Sequence, residues 1–306
     1  MTFKTLETAD FPRLKPHFTD QPFSLSIYSL ASLIAWNDCS SRTSYDIEDG
    51  LLLIANEPLD KPEDRHLIVP FGPAGPLKPA ELFKTAQRHG YRSYWFVPED
   101  YVSLYGRADI DTYFCVREQP EFEDYIYLTK DLAELRGNRY AKKRNLIHQF
   151  TKEYLDRDRV QVQAMGPNSQ EECIDFLEKW CIERDCDLPN NWALACEKKA
   201  AAATIRSLRE LEAEGLFIRI DGQVVAFGIR TRLNAKIGIL NFEKAFARIK
   251  GLYQFLDREC ARRLFDGYLY ISKESDMGIA ELAQSKMSYH PVLRVKSYIL
   301  TLRQSP

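Results

Sequence analysis

The chain has 306 residues, 45% of them hydrophobic and 12% aromatic, which is enough to bury a full core and, at this length, predicts two domains. A formal net charge of -2 excludes a global attraction to nucleic acid or to an anionic membrane, so any polyanion must meet a local basic patch. The N-terminus shows no basic start followed by an apolar run, and the longest apolar run is LLLIA at 51–55. These features predict a cytoplasmic protein with neither an export signal nor a transmembrane segment.

Cysteine usage points the same way. The seven cysteines form no CxxC pair and have no histidine partner at zinc-ligand spacing. An odd number of cysteines in a chain without a signal peptide predicts reduced thiols that pack as small hydrophobic side chains, and it predicts no metal site.

The first half of the chain contains the pattern of a hairpin, a helix and a further strand. Apolar runs at 51–55 and 66–70 predict strands, 80–89 predicts a helix that ends at Gly90, and 94–97 predicts the next strand. A polar, proline-containing stretch then predicts the division into an N-terminal domain, 1–124, and a C-terminal domain, 125–306.

A basic helix is predicted within 135–154. Its spacing places Arg139 and Lys143 on the stripe of Ile147 and Phe150, which turns two cations toward the apolar side of the helix. Such a pair predicts a phosphate or carboxylate ligand, although a solvated basic face is an equally good explanation of the charges.

The second half repeats the order of the first. Strands are predicted on either side of the Asp221-Gly222 turn and at 236–242, followed by a helix at 250–265 and a strand at 268–272. The recurrence of hairpin, helix and strand predicts a duplicated fold.

Glu243 is the candidate general base. By strand alternation it shares a face with buried isoleucines, and desolvation raises the pKa of a carboxyl group toward neutrality. The alternative is an ion pair of Glu243 with Lys244, Lys286 or Arg248.

The segment RIKGLY, 248–253, begins the next helix. Helix N-termini bind phosphate, and Gly251 would let a ligand approach the backbone, so Arg248 and Lys250 are candidate phosphate-binding residues. An ordinary turn from strand to helix would explain the same residues.

Further charged and aromatic residues follow the last of these strands. Lys273, Glu274 and Asp276 come first. Lys286 then falls on the apolar stripe of a short helix, which predicts a buried ammonium group paired with Glu274 or Asp276 or directed at a ligand. Tyr289 and His290 are candidate proton donors, with packing in a loop as the alternative.

Several segments carry a family resemblance. The patterns E-x-D-x-G at 274–278, K-x-S-Y-x-P at 286–291 and L-x-G-x-x-Y-x-x-K-R at 135–144, together with 22–36 and 243–260, resemble bacterial proteins similar to the C-terminal domain of phosphatidylglycerol lysyltransferase. The resemblance implies an α+β fold of tandem GNAT-like domains, related to the Fem-type aminoacyltransferases, with mixed and mostly antiparallel sheets flanked by helices. It also implies an active cleft mainly in the second domain, where a donor would thread between two diverging strands.

This resemblance implies transfer of an acyl or aminoacyl group from acyl-coenzyme A or aminoacyl-tRNA to an amine or hydroxyl of a small molecule or lipid head group. Peripheral contact with a membrane is compatible with it. Arg248-x-x-Gly251 resembles the GNAT pyrophosphate loop, with Tyr253 in place of its last small residue. The predicted roles are catalysis by Glu243, Glu274 and Lys286, donor binding by Arg248, Lys250, Gly251 and Tyr253, and substrate binding by Arg139, Lys143, Asp276 and Tyr289.

Two other functions remain open on the sequence. One is a GNAT-fold module without catalysis that binds RNA, such as tRNA, or an anionic metabolite. The other is an acyltransferase acting on a small cytoplasmic amine.

Overall fold

The computed structural model describes residues 3–19, 21–39, 41–72, 75–186, 188 and 191–303. The strands are β1 Lys4–Thr5, β2 Ser41–Glu48, β3 Leu51–Pro58, β4 His66–Leu67, β5 Phe71–Gly72, β6 Gly75–Pro76, β7 Ser93–Pro98, β8 Phe114–Glu118, β9 Asp124–Leu128, β10 Val160–Ala164, β11 Glu214–Ile220, β12 Gln223–Arg232, β13 Ile237–Ala245, β14 Tyr270–Ser272, β15 Leu293–Val295 and β16 Ser297–Leu302. The helices are α1 Phe11–Phe18, α2 Leu30–Ala35, α3 Pro79–His89, α4 Glu99–Tyr105, α5 Arg107–Tyr113, α6 Thr129–Glu134, α7 Ala141–Glu153, α8 Gln170–Glu183, α9 Trp192–Arg206, α10 Leu252–Arg263 and α11 Ala280–Met287. The predicted α+β class, with mixed and mostly antiparallel sheets, is confirmed.

The chain forms two compact units, and their boundaries differ from the predicted domains. The first unit takes the chain as far as Tyr125, Glu274–Lys286 and the chain from Leu293 onward, and the second takes Ile126–Lys273 and Met287–Val292. The predicted division at 124 and 125 placed the whole C-terminal part in the second domain. The chain from Leu293 onward belongs to the first unit because β16 forms hydrogen-bonded pairs with both β7 and β8 of that unit.

The first unit is built on a sheet in the order β1-β2-β3-β4-β7-β16-β8. β2 and β3 form an antiparallel hairpin, and α3 then connects β4 to β7, which run parallel with Leu67 opposite Tyr94. α3 buries Leu82 and Ala86 and ends at Gly90, whose φ of 70° ends the helix as predicted. The helix therefore serves as the crossover that a parallel pair requires.

The second unit repeats this arrangement. Its strands follow the order β10-β11-β12-β13-β14-β9, with β11 and β12 joined at Asp221 and Gly222, which both have positive φ. α10 connects β13 to the parallel strand β14 and buries Phe255, Leu256 and Cys260 against the sheet. The prediction that hairpin, helix and strand occur twice is confirmed.

The pairing of β13 with β14 is short. It runs from Ile237 opposite Tyr270 to Ile239 opposite Ser272, whereas β13 continues along β12 as far as Ala245. The end of β14 therefore leaves an opening beside the second half of β13, and this opening positions the site described below.

The structure also bears on the predicted state of the cysteines and on the prediction of no transmembrane segment. The prediction that all cysteines are reduced thiols is wrong for Cys181 and Cys186, because the turn after α8 brings their Cα atoms to 5.2 Å and the two side chains form a disulfide. Cys173 and Cys260 are buried free thiols, as expected. Among the described residues, no helix has the length and apolarity needed to cross a membrane.

Candidate active site

Glu243 lies at the opening beside β13. Its side chain is 16% exposed, and its Oε2 is 2.9 Å from Nζ of Lys273, the first residue after β14. Burial raises the pKa of the Glu243 carboxyl from its ordinary 4.5 to about 7, although the attraction of Lys273 opposes the rise. Glu243 is desolvated as predicted, but the predicted face is wrong: a β-bulge at Asn241 interrupts the alternation and places Glu243 opposite Gly228, on the side of the sheet that α10 covers. Lys273 was not among its predicted ion-pair partners.

Asp257 of α10 is a second carboxylate in the same place. Its side chain is 3% exposed, and its Oδ2 is 3.0 Å from Lys273 Nζ, so the ammonium lies against two carboxylates. Burial lowers the pKa of Lys273, but Asp257 and Glu243 together more than reverse this effect and leave the pKa raised. Lys273 is therefore a permanent cation at physiological pH.

The Asp257 carboxylate already has partners within the protein. Besides its ion pair with Lys273, it accepts a hydrogen bond from the Tyr289 hydroxyl. Because a carboxylate has about four acceptor positions, Asp257 can still accept a hydrogen bond from a bound amine or hydroxyl.

Tyr289 and Lys143 complete the group. Tyr289 is 6% exposed, and burial raises the pKa of its hydroxyl well above the ordinary range, with Asp257 and Glu243 adding to the rise. Lys143 Nζ lies 3.8 Å from the centroid of the Tyr289 ring and donates to Ser288 Oγ at 2.7 Å. Burial lowers the pKa of Lys143. We call Glu243, Asp257, Lys273, Tyr289 and Lys143 the Glu243 cluster.

Arg139 does not join this cluster. A 3-10 turn, Asn138–Tyr140, precedes α7, so the helical stripe does not extend back to Arg139. Its guanidinium, with 47% of the side chain exposed, pairs with Asp131 at 2.7 Å. The predicted inward pair of Arg139 and Lys143 is therefore wrong.

The predicted donor-binding residues lie around the start of α10. Arg248 is exposed, pairs with Glu183 and stacks on Phe246. Lys250 is exposed and Tyr253 is half-buried in the first turn of the helix. Their role in binding a donor stays a prediction.

A glycine is required at position 251 for a different reason from the predicted one. Its φ is +82°, and a Cβ at this position would lie 2.2 Å from the carbonyl oxygen of Leu146 in α7. The backbone that approaches Gly251 closely is therefore that of a packed helix, and the interpretation of Gly251 as an opening for a ligand is corrected.

Glu274, Asp276 and Lys286 belong to the first unit, whereas the Glu243 cluster belongs to the second. Lys286 Nζ donates to the backbone carbonyls of Glu274 and Ser275. Asp276 is buried and accepts hydrogen bonds from the Tyr125 hydroxyl and from the backbone N–H of Gly278.

The predicted burial of α11 is wrong. None of its residues is buried, and Ile279 just before it is 42% exposed. Apolar spacing shows which face of a helix is apolar, but packing decides whether another element covers that face; α1 has the same length and buries Phe11, Leu14 and Phe18.

Sequence reasoning missed Asp257, and it noted Lys273 at the end of a strand without assigning it a role in the site. Lys273 directly follows a strand, and Asp257 directly follows two apolar residues of the buried stripe, Phe255 and Leu256. A charged residue beside an apolar stripe was the available signal for Asp257.

The profile of the family "Phosphatidylglycerol lysyltransferase, C-terminal" matches residues 22–301. The chain belongs to this family. The resemblance on which the tandem GNAT-like fold was predicted is thereby confirmed. This assignment covers nearly the whole chain and both of its units.

Two solved structures are similar to this chain over almost its whole length. The crystal structure of a conserved protein of unknown function from Bacteroides thetaiotaomicron VPI-5482 is 25% identical, with a TM-score of 0.87 over 99% of this chain and 100% of the other. The C-terminal domain (DUF2156) of a putative lysylphosphatidylglycerol synthetase from Agrobacterium fabrum is 13% identical, with a TM-score of 0.62 over 97% and 92% of the two chains. The second likeness shows a shared fold.

A curated relative is the uncharacterized protein of Mycoplasmoides gallisepticum that is 25% identical over 183 residues. The match covers 58% of this chain and 55% of that protein's length.

Proposed function

We propose that the chain transfers an acyl or aminoacyl group to an amine or hydroxyl acceptor at the Glu243 cluster. Membership of a lysyltransferase family supports the reaction class. The observation that carries the proposal is a largely buried glutamate with a pKa of about 7 at the opening between two parallel strands. A general base works best when its pKa lies near the operating pH.

Transfer would proceed directly from donor to acceptor. The acceptor nitrogen or oxygen forms a bond to the donor carbonyl carbon while Glu243 takes its proton. The thioester sulfur or ester oxygen leaves with the electron pair of the broken bond and takes up a proton. Holding both reactants in place supplies much of the rate in such reactions.

The other members of the cluster prepare Glu243 for this step. Lys273 holds the Glu243 carboxylate by its ion pair, and the remaining acceptor positions of Asp257 could receive a second N–H or O–H of the acceptor. Tyr289 keeps its proton because its pKa is raised, and it would donate a hydrogen bond to developing negative charge by turning its hydroxyl away from Asp257.

The family suggests which donors and acceptors should be tested first. We propose aminoacyl-tRNA as the first donor to test and acyl-coenzyme A as the second, with a lipid head group or a small amine as acceptor. Arg248 and Lys250 would bind donor phosphate, and this requires Arg248 to release Glu183.

The test uses the purified chain with radiolabelled lysyl-tRNA or acetyl-coenzyme A, and with phosphatidylglycerol vesicles or ethanolamine as acceptor. We expect transfer from one of these donors, and we expect Glu243→Gln to reduce the rate by about 10²–10⁴-fold. Glu172→Gln is the matched control, because Glu172 forms an ion pair with Arg219 and is exposed.

Absence of transfer from both donors, together with salt-dependent binding of tRNA, would instead favour a binding module without catalysis. Full activity of Glu243→Gln would remove Glu243 from the role of base.

A further inference from the structure

The first unit has its own pair of parallel strands that separate. β4 and β7 are paired at Leu67 and Tyr94, and the next residues on the same sides of the two strands are Val69 and Phe96. In a regular parallel ladder, the backbone groups of this stretch would bond to the neighbouring strand directly. The side chain of Tyr28 stands in the place of such direct bonds.

The Tyr28 hydroxyl bridges the two strands. It accepts a hydrogen bond from the Val69 N–H at 3.2 Å and donates one to the Phe96 carbonyl at 3.2 Å. A phenolic hydroxyl has one donor and acceptor lone pairs, so it satisfies both backbone groups at once. Buried backbone groups need such partners, and Tyr28 is 0% exposed.

The surroundings hold the ring in this position. Phe23 and Phe71 pack on Tyr28 with ring centroids at 4.5 and 5.9 Å. Phe96 adopts a φ of 55°, unusual for a phenylalanine in a strand, and its N–H donates to Gln119 Oε1. Gln119 is itself 1% exposed, so this distorted strand is built into the core.

The corresponding opening of the second unit is different. There the strands β13 and β14 separate beside Glu243 and Lys273, two ionisable side chains that retain some exposure. An apolar ring therefore fills one opening, and a charged pair lies at the other.

We propose that Tyr28 is a built-in occupant that closes the strand opening of the first unit, so that donor binding belongs to the second unit alone. The restriction of donor binding to the second unit rests on the proposed transferase function. The role of Tyr28 in the first unit can be tested without a donor.

Amide hydrogen exchange of Tyr28→Phe tests the bridge. The variant keeps the ring and removes the hydroxyl, so we expect the Val69 amide to exchange at least about tenfold faster than in the wild-type chain. Ile68 is the internal reference, because its N–H donates to the Ile54 carbonyl and not to Tyr28. An unchanged ratio of Val69 to Ile68 exchange overturns the proposal.

Chemical rescue of Tyr28→Ala gives a second readout. We expect p-cresol to raise the Tm of this variant in a concentration-dependent way, more than toluene does, and to leave the wild-type Tm unchanged. Equal effects of the two compounds would mean that the hydroxyl bridges nothing and would overturn the proposal. Should this variant not fold, the exchange experiment still decides.

The two proposals fail separately. Failure of group transfer with accelerated Val69 exchange would reject the transferase function and retain Tyr28 as the occupant. Two equivalents of coenzyme A bound to each wild-type chain would overturn the restriction to the second unit.

Discussion

At the scale of single residues, the chemistry of the site comes from one cation shared by two carboxylates. Lys273 lies 2.9 Å from Glu243 and 3.0 Å from Asp257. Without this cation, two buried carboxylates would repel each other and one would hold its proton more firmly. The pKa of about 7 at Glu243 is thus a balance between burial and Lys273.

The rate of transfer should rise with pH. Glu243 must be ionised to take a proton, so we expect kcat to increase through an apparent pKa of about 7. The pH profile of the purified enzyme with its working donor measures this. A profile that is flat from pH 5.5 to 8.5 would contradict the assignment of Glu243.

The contribution of Glu243 to the free energy of unfolding should fall, not rise, with increasing pH. The folded pKa of Glu243 is raised above its ordinary 4.5, so the folded state binds the proton more tightly and this group's contribution to stability falls as pH rises from about 4.5 to 7. Lys273→Met should lower the free energy of unfolding by about 3–5 kcal/mol at pH 8, because two buried carboxylates lose their partner.

The loss in Lys273→Met should be smaller at pH 5.5, where Glu243 carries a proton. Urea denaturation at the two pH values gives both numbers. Lys236→Met is the control, since Lys236 is exposed and its loss should be near zero at both pH values. An equal loss for Lys273→Met at pH 5.5 and 8 would exclude Glu243 as the titrating partner.

At the scale of elements, the position of Asp257 depends on how α10 packs on α7. Gly251 permits the close approach of the Leu146 carbonyl, and Asp257 lies in the second turn of the same helix. Gly251, which the sequence suggested as a ligand-binding residue, therefore contributes to the site by allowing α10 to pack closely on α7.

Replacement of Gly251 by alanine should be more damaging than a similar change at Gly222. Both glycines have φ near +80°, but a Cβ at Gly222 meets nothing within 4 Å, whereas one at Gly251 lies 2.2 Å from Leu146 oxygen. We expect Gly222→Ala to cost about 1 kcal/mol from backbone strain and Gly251→Ala about 1–3 kcal/mol more from overpacking. Equal losses in urea denaturation would show that α7 and α10 separate without cost.

At the scale of the whole molecule, the C-terminal strand belongs with the N-terminal part of the chain. Leu300 of β16 is fully buried, and its strand pairs with β7 and β8. Strands that close a sheet far along the sequence make its folding depend on contacts across almost the full chain.

Replacement of Leu300 by alanine tests whether β16 belongs to the first unit. Leu300→Ala should destabilise by about 2–5 kcal/mol, and amide exchange should accelerate in β3 and β7 more than in β12 and β13. The reciprocal variant is Ile239→Ala, whose buried side chain belongs to β13 of the second unit. Faster exchange in β12 and β13 for Leu300→Ala would restore the predicted domain division.

The sequence by itself determined the local elements, the repeat and the family. Gly90 and the Asp221-Gly222 turn are local signals, because backbone preference acts over a few residues. They predicted the end of α3 and the β11–β12 hairpin, whereas strict alternation did not predict the β-bulge at Asn241 that sets the face of Glu243.

Only the tertiary structure decided which groups meet. Lys273 and Asp257 are separated by 16 residues, and Tyr28 is separated from Phe96 by 68. The sequence assigned Arg139 to the site and missed Asp257, because a charged side chain's partner is set by packing in three dimensions and no periodic pattern along the chain encodes it.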